Sequence, residues 1–160
     1  MTVQTAAGAT LHVSASTPVT FNVAGYDDIF GSTGNPTLVG EITDFGEFGR
    51  QYNLVTHNPV STRGTRKFKG SYNEGTMDLQ IGVDNDDAGQ VIMKAAALSD
   101  DDYSFCVTLQ NGDRFFFQAK VMSWRMAVGS VDSIVSATCS LELTTSSEAT
   151  GGVGIVEDLA

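Results

Sequence analysis

The residues that could do chemistry in this 160-residue chain are few, and their spacing does not build a metal site. Asp84, Asp86 and Gly89 imitate the start of a calcium-binding loop. The fifth and twelfth positions of that loop are Ala88 and Ala95, so too few oxygen ligands remain. We therefore expect no calcium in this segment.

Other chemical motifs are also incomplete. Residues 70–75 have the glycine spacing of a phosphate loop, but Thr76 stands where lysine is required. No G-x-S-x-G or G-x-G-x-x-G string marks a nucleophile or a dinucleotide site. The histidines and cysteines lack the close pairs that prearrange zinc ligands; they are His12, His57, Cys106 and Cys139. The sequence predicts no enzyme, no metal and no cofactor, and its unpaired cysteines fit a reducing cytoplasm.

Charge is distributed unevenly along the chain. Nineteen acidic against nine basic residues give a net charge of -10, which disfavours binding to phosphate backbones or anionic membranes. Four of the nine bases nevertheless lie in the segment TRGTRKFKG, namely Arg63, Arg66, Lys67 and Lys69. A solvated loop is one explanation, and an acidic partner surface is the other. Association between copies of the chain explains both the basic cluster and the acidic remainder.

Alternation of apolar and polar residues predicts a mainly β chain that forms one domain. In residues 76–84 the apolar positions run from Met77 to Val83 on one side, with polar residues on the other. Residues 130–143 form a second long two-faced strand, with Val131 on its apolar side. Shorter strands are expected at residues 11–14, 18–23, 37–43 and 66–72.

A hairpin and one helix complete the expected elements. Two β-rich runs, beginning at Tyr103 and Arg114, flank Asn111-Gly112, a dipeptide suited to positive φ. A short helix follows Asp84 or Asn85, with Asp86 and Asp87 capping it; Ala88, Val91, Ile92 and Ala95 face inward while Gln90 and Lys94 face solvent.

Linkers and ends are expected around these elements. Residues 24–36 are expected to be a mobile linker, and residues 1–10 and 144–160 mobile or arm-like ends. The N-terminal segment has no charged residue before Asp27, and it predicts neither a signal peptide nor a membrane span.

The sequence resembles the major tail tube proteins of long-tailed, siphovirus-type bacteriophages. The strings that carry the resemblance are GEITDFGEFGRQYNLVTHNPVSTRGTRKFKGSYNEGTMDLQIGVDNDDAGQ from Gly40 and VGSVDSIVSATCSLEL from Val128. It covers residues 40–143 and leaves residues 1–36 and 144–160 without a match. It implies a β-sandwich or barrel-like subunit with one flanking helix. Such subunits form hexameric rings whose inner strands close a barrel around the tape-measure protein, before DNA passes.

The resemblance also suggests which residues do what. The polar sides of the long strands become the channel wall, as an acidic surface that repels passing DNA, and the candidates are Asp78, Gln80, Thr138, Ser140, Glu142, Glu41 and Thr43. The segment from Phe45 to Gly70 resembles an inter-ring loop. Its candidate contacts are Phe48, Tyr52, Leu54, Arg63, Arg66, Lys67 and Lys69. Their acidic partners are expected within residues 84–87 or 100–102.

Two other functions remain open at this point. Secretion-system tubes share the fold, although the long loop favours a phage. A monomeric β-sandwich that binds a ligand would instead use an exposed aromatic platform, for which Trp124 is the only tryptophan. The phage hypothesis places the protein in the virion tail, assembled in the bacterial host cytoplasm, with the tape-measure, tail tip and tail terminator proteins as partners and no membrane binding.

Overall fold

The computed structural model describes residues 3–146 and 152–160. Two helices and ten strands lie within these residues. The helices are α1 (Val23–Phe30) and α2 (Ala88–Ala97). The strands are β1 (Thr10–Ser14), β2 (Thr37–Val39), β3 (Ile42–Asp44), β4 (Gln51–His57), β5 (Arg66–Asn73), β6 (Thr76–Gly82), β7 (Tyr103–Thr108), β8 (Arg114–Ala127), β9 (Ser136–Thr144) and β10 (Val156–Asp158). The chain is mainly β, as predicted.

Eight of the strands form one antiparallel sheet that curls around the core. Its order is β2-β1-β7-β8-β9-β6-β3, with β10 also paired to β8. The long strand β8 joins the two halves of the sheet, β2-β1-β7-β8 and β8-β9-β6-β3. Its residues 114–119 pair with β7, and its residues 118–127 pair with β9. The two end strands β2 and β3 are separated only by Gly40 and Glu41. The sheet therefore bends until its ends nearly meet, which gives the predicted barrel-like sandwich.

Alternation along the strands places the core between these two halves. Met77, Leu79 and Ile81 of β6 are fully buried, as the sequence predicted. They pack with Leu11 and Phe117 from the other half of the sheet. Burying one such side chain stabilises the fold by about 1.5–3 kcal/mol. The expected hairpin is also present, and Gly112 turns it with φ of 96°.

Helix α1 was not predicted, since residues 18–23 were expected to be a strand and residues 24–36 a linker. Asn22 caps the helix by accepting a hydrogen bond from Gly25 N at 2.8 Å. Tyr26 then stacks on Phe116 of β8, with 5.2 Å between the ring centroids. The helix thus depends on an aromatic contact made 90 residues away, which no local pattern reveals.

Helix α2 was predicted, but of the residues predicted to face inward only Ile92 packs against the core, while Ala88, Val91 and Ala95 are exposed. Asp87 caps the helix by accepting a hydrogen bond from Gln90 N at 3.0 Å, which confirms the capping role predicted for Asp87. Met93 and Ala96 are fully buried, whereas Val91 is half exposed. Gln90, expected in solvent, is fully buried. Its amide binds the backbone at the β2–β3 corner, and this polar role allows a glutamine to face inward.

Two further predictions about strands and ends differ from the structure. The expected strand at residues 130–143 begins only at Ser136, and Val131 lies fully exposed in the preceding turn. Part of the expected mobile C-terminus instead pairs, because Val156 lies opposite Phe116 in the sheet. Met1, Thr2 and residues 147–151, which belong to the predicted arm-like ends, lie outside the described residues. The helices of the described part are too short or too polar to cross a membrane.

Candidate assembly surfaces

One side of the β8-β9-β6-β3 half is polar. The antiparallel register of β6 and β9 sets Asp78 opposite Ser140 and Gln80 opposite Thr138, and directly opposed residues point to the same side. Thr138 Oγ1 donates to Gln80 Oε1 at 3.2 Å. Glu142 extends the same row of β9 side chains.

The β3 edge continues this polar side. Thr43 Oγ1 donates to Gln80 O at 3.1 Å. Glu41 lies beside Gly82, where an added Cβ would come within 3.7 Å of Glu41 Cβ. The structure thus brings all seven residues predicted for the channel wall onto one surface, which we call the polar face: Glu41, Thr43, Asp78, Gln80, Thr138, Ser140 and Glu142.

Strand β8 adds two basic residues to the polar face that the sequence analysis missed. Lys120 lies opposite Glu142 and Arg125 lies opposite Thr138. Strict alternation would put an even and an odd residue of β8 on different sides. A register shift between Val121 and Ser123 brings both to the same side. The polar face therefore carries charges of both signs, rather than only the negative charges expected.

Two strand edges beside the polar face lack a partner among the described residues. Strand β7 pairs with β8 only as far as Ala119, so residues 120–127 of β8 extend past it. At the opposite side of this half, β3 pairs only with β6. Unpaired edges offer backbone N–H and C=O groups to another strand. This half of the sheet can be extended at both sides.

The expected inter-ring loop is a β-hairpin that projects from the body, which we call the arm (residues 51–73). Among the residues that the structure describes, its strands β4 and β5 pair only with each other, from Gln51 opposite Asn73 to His57 opposite Arg66. Strand β5 agrees with the predicted strand at residues 66–72. Strand β4 was not predicted, because its residues were assigned to the inter-ring loop; both of its faces are exposed.

The surface of the arm is apolar and basic. Every residue of its two strands is exposed except Gly70, which is half-buried. Leu54 is 66% exposed and Phe68 is 53% exposed. An isolated two-stranded hairpin is marginally stable in water, so a partner surface would stabilise this one. The arm carries six of the predicted contacts: Tyr52, Leu54, Arg63, Arg66, Lys67 and Lys69.

Phe48 is the exception among the predicted contacts. It lies before the arm and packs against the core, 5.8 Å from Phe117 and 5.9 Å from Phe115 between ring centroids. Phe48 thus has a packing role within the single subunit, and its assignment to the inter-ring contact stays a prediction. A large apolar residue next to a loop is as well suited to the core as to an interface, and the sequence does not distinguish the two.

The root of the arm is held by an ion pair. Arg50 Nη2 lies 2.7 Å from Oε1 of the buried Glu74, and the guanidinium stacks 3.9 Å from the centre of the Tyr72 ring. Hydrogen bonding to Glu74 raises the pKa of Arg50. Next to this pair, Gly75 has φ of 97°, and an added Cβ there would lie 2.9 Å from Gly49 O. The arm thus leaves the body at a fixed point, where β6 begins.

The remaining chemical candidates do not form a ligand site. Trp124 packs against the core instead of presenting an open platform. Cys106 and Cys139 are both buried, and burial raises the pKa of the Cys139 thiol to about 12. Within residues 3–146 and 152–160, no three carboxylate, imidazole or thiol groups come together as metal ligands.

The fold belongs to the class found in phage tails and related tubes. No protein-family model matches the sequence, and no curated protein matches it. Solved structures do match. The fold implied by the sequence resemblance is therefore confirmed by structural similarity.

Two solved structures define this similarity. A chain of the anti-feeding prophage (AFP) baseplate, solved by cryo-electron microscopy with six-fold symmetry, aligns with a TM-score of 0.65 at 13% identity, over 89% of this chain and 93% of that one. The tail tube of SPP1, a hybrid structure from solid-state NMR and cryo-electron microscopy, aligns with a TM-score of 0.60 at 16% identity, over 95% of this chain and 77% of that one. The chain has the tail tube fold.

Proposed function

We propose that this protein is the structural subunit of a phage tail tube. Copies join into hexameric rings, the rings stack, and the channel holds a tape-measure protein and later conducts DNA into the host. Tail tip and tail terminator proteins close the two ends of the tube, which assembles in the host cytoplasm and remains in the virion tail. The observation that carries this proposal is the pair of unpaired strand edges that flank the polar face, on a fold shared with the SPP1 tail tube.

Ring formation uses these two edges. Residues 120–127 of β8 in one subunit pair with β3 of the next, so that the four strands β8-β9-β6-β3 repeat around a closed barrel. Closure satisfies backbone groups that a single subunit leaves exposed. Opposite charges favour this pairing, because Arg125 lies at the β8 edge and Asp44 lies at the β3 edge. Six-fold symmetry is supported by the symmetry of the AFP baseplate assembly.

The polar face then lines the channel. Hydroxyl and amide groups dominate it, Glu142 lies opposite Lys120, and Lys120 Nζ also lies 2.6 Å from Asp102 Oδ1. A wall without excess positive charge does not hold phosphates by counterion release, so DNA can slide. The wall is acidic overall, because Glu41, Asp78 and Glu142 outnumber the two bases and Lys120 is paired with Asp102.

Charge reversal on the polar face tests the channel. Asp78→Lys with Glu142→Lys should leave tubes assembled while DNA delivery falls, because four bases would then face the phosphates. A matched control is Asp28→Lys with Glu157→Lys, which changes the net charge equally at exposed positions on α1 and β10. Infectivity is measured after complementation of a phage that lacks its own subunit. Normal infectivity of the Asp78 and Glu142 variant would remove the channel assignment.

The arm supplies the contact between rings. Its exposed apolar residues and four bases fit a neighbouring copy, because the rest of the chain is strongly acidic. Removing Arg63, Arg66, Lys67 and Lys69 from the nine bases leaves five bases against nineteen acids. Each exposed ion pair contributes only about 0–1 kcal/mol, so the strength comes from repetition around the ring.

A further inference from the structure

Two different surfaces lie at the ends of strand β6: the arm at one end and the turn between β8 and β9 at the other. The arm leaves the body at the first residues of β6, through Glu74 and Gly75. At the other end of the strand, Gly82 pairs with Ser136, and Val83 N donates to Val135 O at 3.0 Å. The turn between β8 and β9 therefore lies beside the start of α2. We call residues 83–87 and 128–135 the far end, roughly 20 Å along β6 from the arm root.

The far end exposes an apolar patch that the fold does not use. Val131 is fully exposed, Ile134 is 83% exposed and Val128 is 65% exposed. All three lie in the turn between β8 and β9, and two of them, Val131 and Ile134, fall within the strand predicted at residues 130–143. A cluster of large exposed apolar side chains marks a surface that another molecule covers.

Carboxylates lie beside this patch, together with Lys94, which donates a hydrogen bond to Asn85 Oδ1 of the far end. Asp84 and Asp86 lie on one side of it and Asp132 lies within the turn, and all three are exposed. The arm has the complementary composition, since residues 51–73 contain four bases and no acid. Its exposed Leu54, Val55 and Phe68 match the apolar patch. The arm and the far end, at the two ends of β6, therefore have opposite charges, and both expose apolar side chains.

We infer that the far end is the surface that receives the arm of a subunit in the adjacent ring. The inference rests on the proposed function and names the partner of the arm: a second copy, bound through its β8–β9 turn and the segment before α2. The contact is heterologous, since the arm and its receptor are different parts of the chain. Such contacts repeat without closing and build a filament.

Charge exchange between the two surfaces tests this inference. Arg63→Glu with Arg66→Glu reverses two of the four bases and leaves the arm without net charge, and Asp86→Lys with Asp132→Lys does the same to two of the four acids of the far end. Each double variant should raise the concentration needed for ring stacking by at least about tenfold. The chain with all four changes should stack again, because the exchanged glutamates and lysines can form ion pairs in the opposite sense. Stacking is followed by sedimentation and electron microscopy, and the fold by circular dichroism.

A matched control separates this site from the other acidic segment. Asp100→Lys with Asp101→Lys makes the same charge change after α2, away from the far end, and should leave stacking unchanged. If this variant blocks stacking while the far-end variant stacks normally, the arm binds at residues 100–102 and the inference is wrong. If all four changes together fail to restore stacking of intact rings, the inference is also wrong while the proposed function stands. A wild-type chain that forms no rings would instead contradict the proposed function.

Discussion

Replacing Gln90 with leucine should weaken the corner that positions the β3 edge. Gln90 Nε2 donates to Gly82 O at 2.9 Å and to Gly40 O at 3.1 Å, and its Oε1 accepts from Asp84 N at 2.9 Å. Leucine has a similar size but makes none of these bonds, so three backbone groups lose their partner. The side chain is fully buried, whereas the three backbone groups lie closer to the surface.

The size of the effect follows from these contacts. An unsatisfied buried group costs about 1–3 kcal/mol, and partial access of water to Gly40, Gly82 and Asp84 favours the low end. We expect Gln90→Leu to lower the free energy of unfolding by about 3 kcal/mol. For a chain of this size the midpoint of thermal unfolding should fall by roughly 6–12 °C.

The assay is thermal and denaturant unfolding at a protein concentration too low for assembly, followed by circular dichroism. Gln110→Leu is the matched control, because Gln110 is exposed in the β7–β8 turn, and it should change the free energy by less than about 0.5 kcal/mol. Should Gln90→Leu unfold like the control, the hydrogen bonds of Gln90 would not hold the corner, and the argument above would be refuted.

Three further predictions follow from burial and exposure. Leu54→Ser with Phe68→Ser should reduce ring stacking without lowering the thermal midpoint of the isolated subunit, since both side chains are exposed; a lower midpoint would mean that they pack within one chain. Cys106 and Cys139 should react with dithiobis(nitrobenzoic acid) only after unfolding, because burial raises the pKa of both thiols; rapid labelling of the native protein would contradict this. Burial lowers the pKa of His12 from 6.5, so the unfolded chain binds more protons and stability should fall as the pH drops below about 6.5. His12→Asn should remove this share of the pH dependence, and an unchanged profile would show that other groups cause it.

The sequence predicted the elements whose pattern is local. Strand β6 and the β7–β8 hairpin follow from alternation and from the Asn111-Gly112 turn, and both are present as expected. Helix α1 was missed because Phe116, which it covers, lies far along the chain. The buried face of α2 was mispredicted because Gln90 is satisfied by backbone groups from two other segments.

The candidate surfaces were predictable to a different extent. Alternation alone grouped the polar residues of β6 and β9, and the basic cluster marked the arm. Arg125 was missed because its side depends on a register shift. The far end was missed because Val131 continues the apolar side of the predicted strand, although Ile134 falls on its polar side and the chain turns there. Exposure of such residues becomes visible only in three dimensions.

A cryo-electron microscopy reconstruction of the purified, assembled chain tests the central claim most directly. The account predicts stacked rings in which β8 of one subunit pairs with β3 of the next, and in which Asp78 and Thr138 face the channel. A chain that stays monomeric at every concentration, or tubes with these two residues on the outer surface, would contradict it.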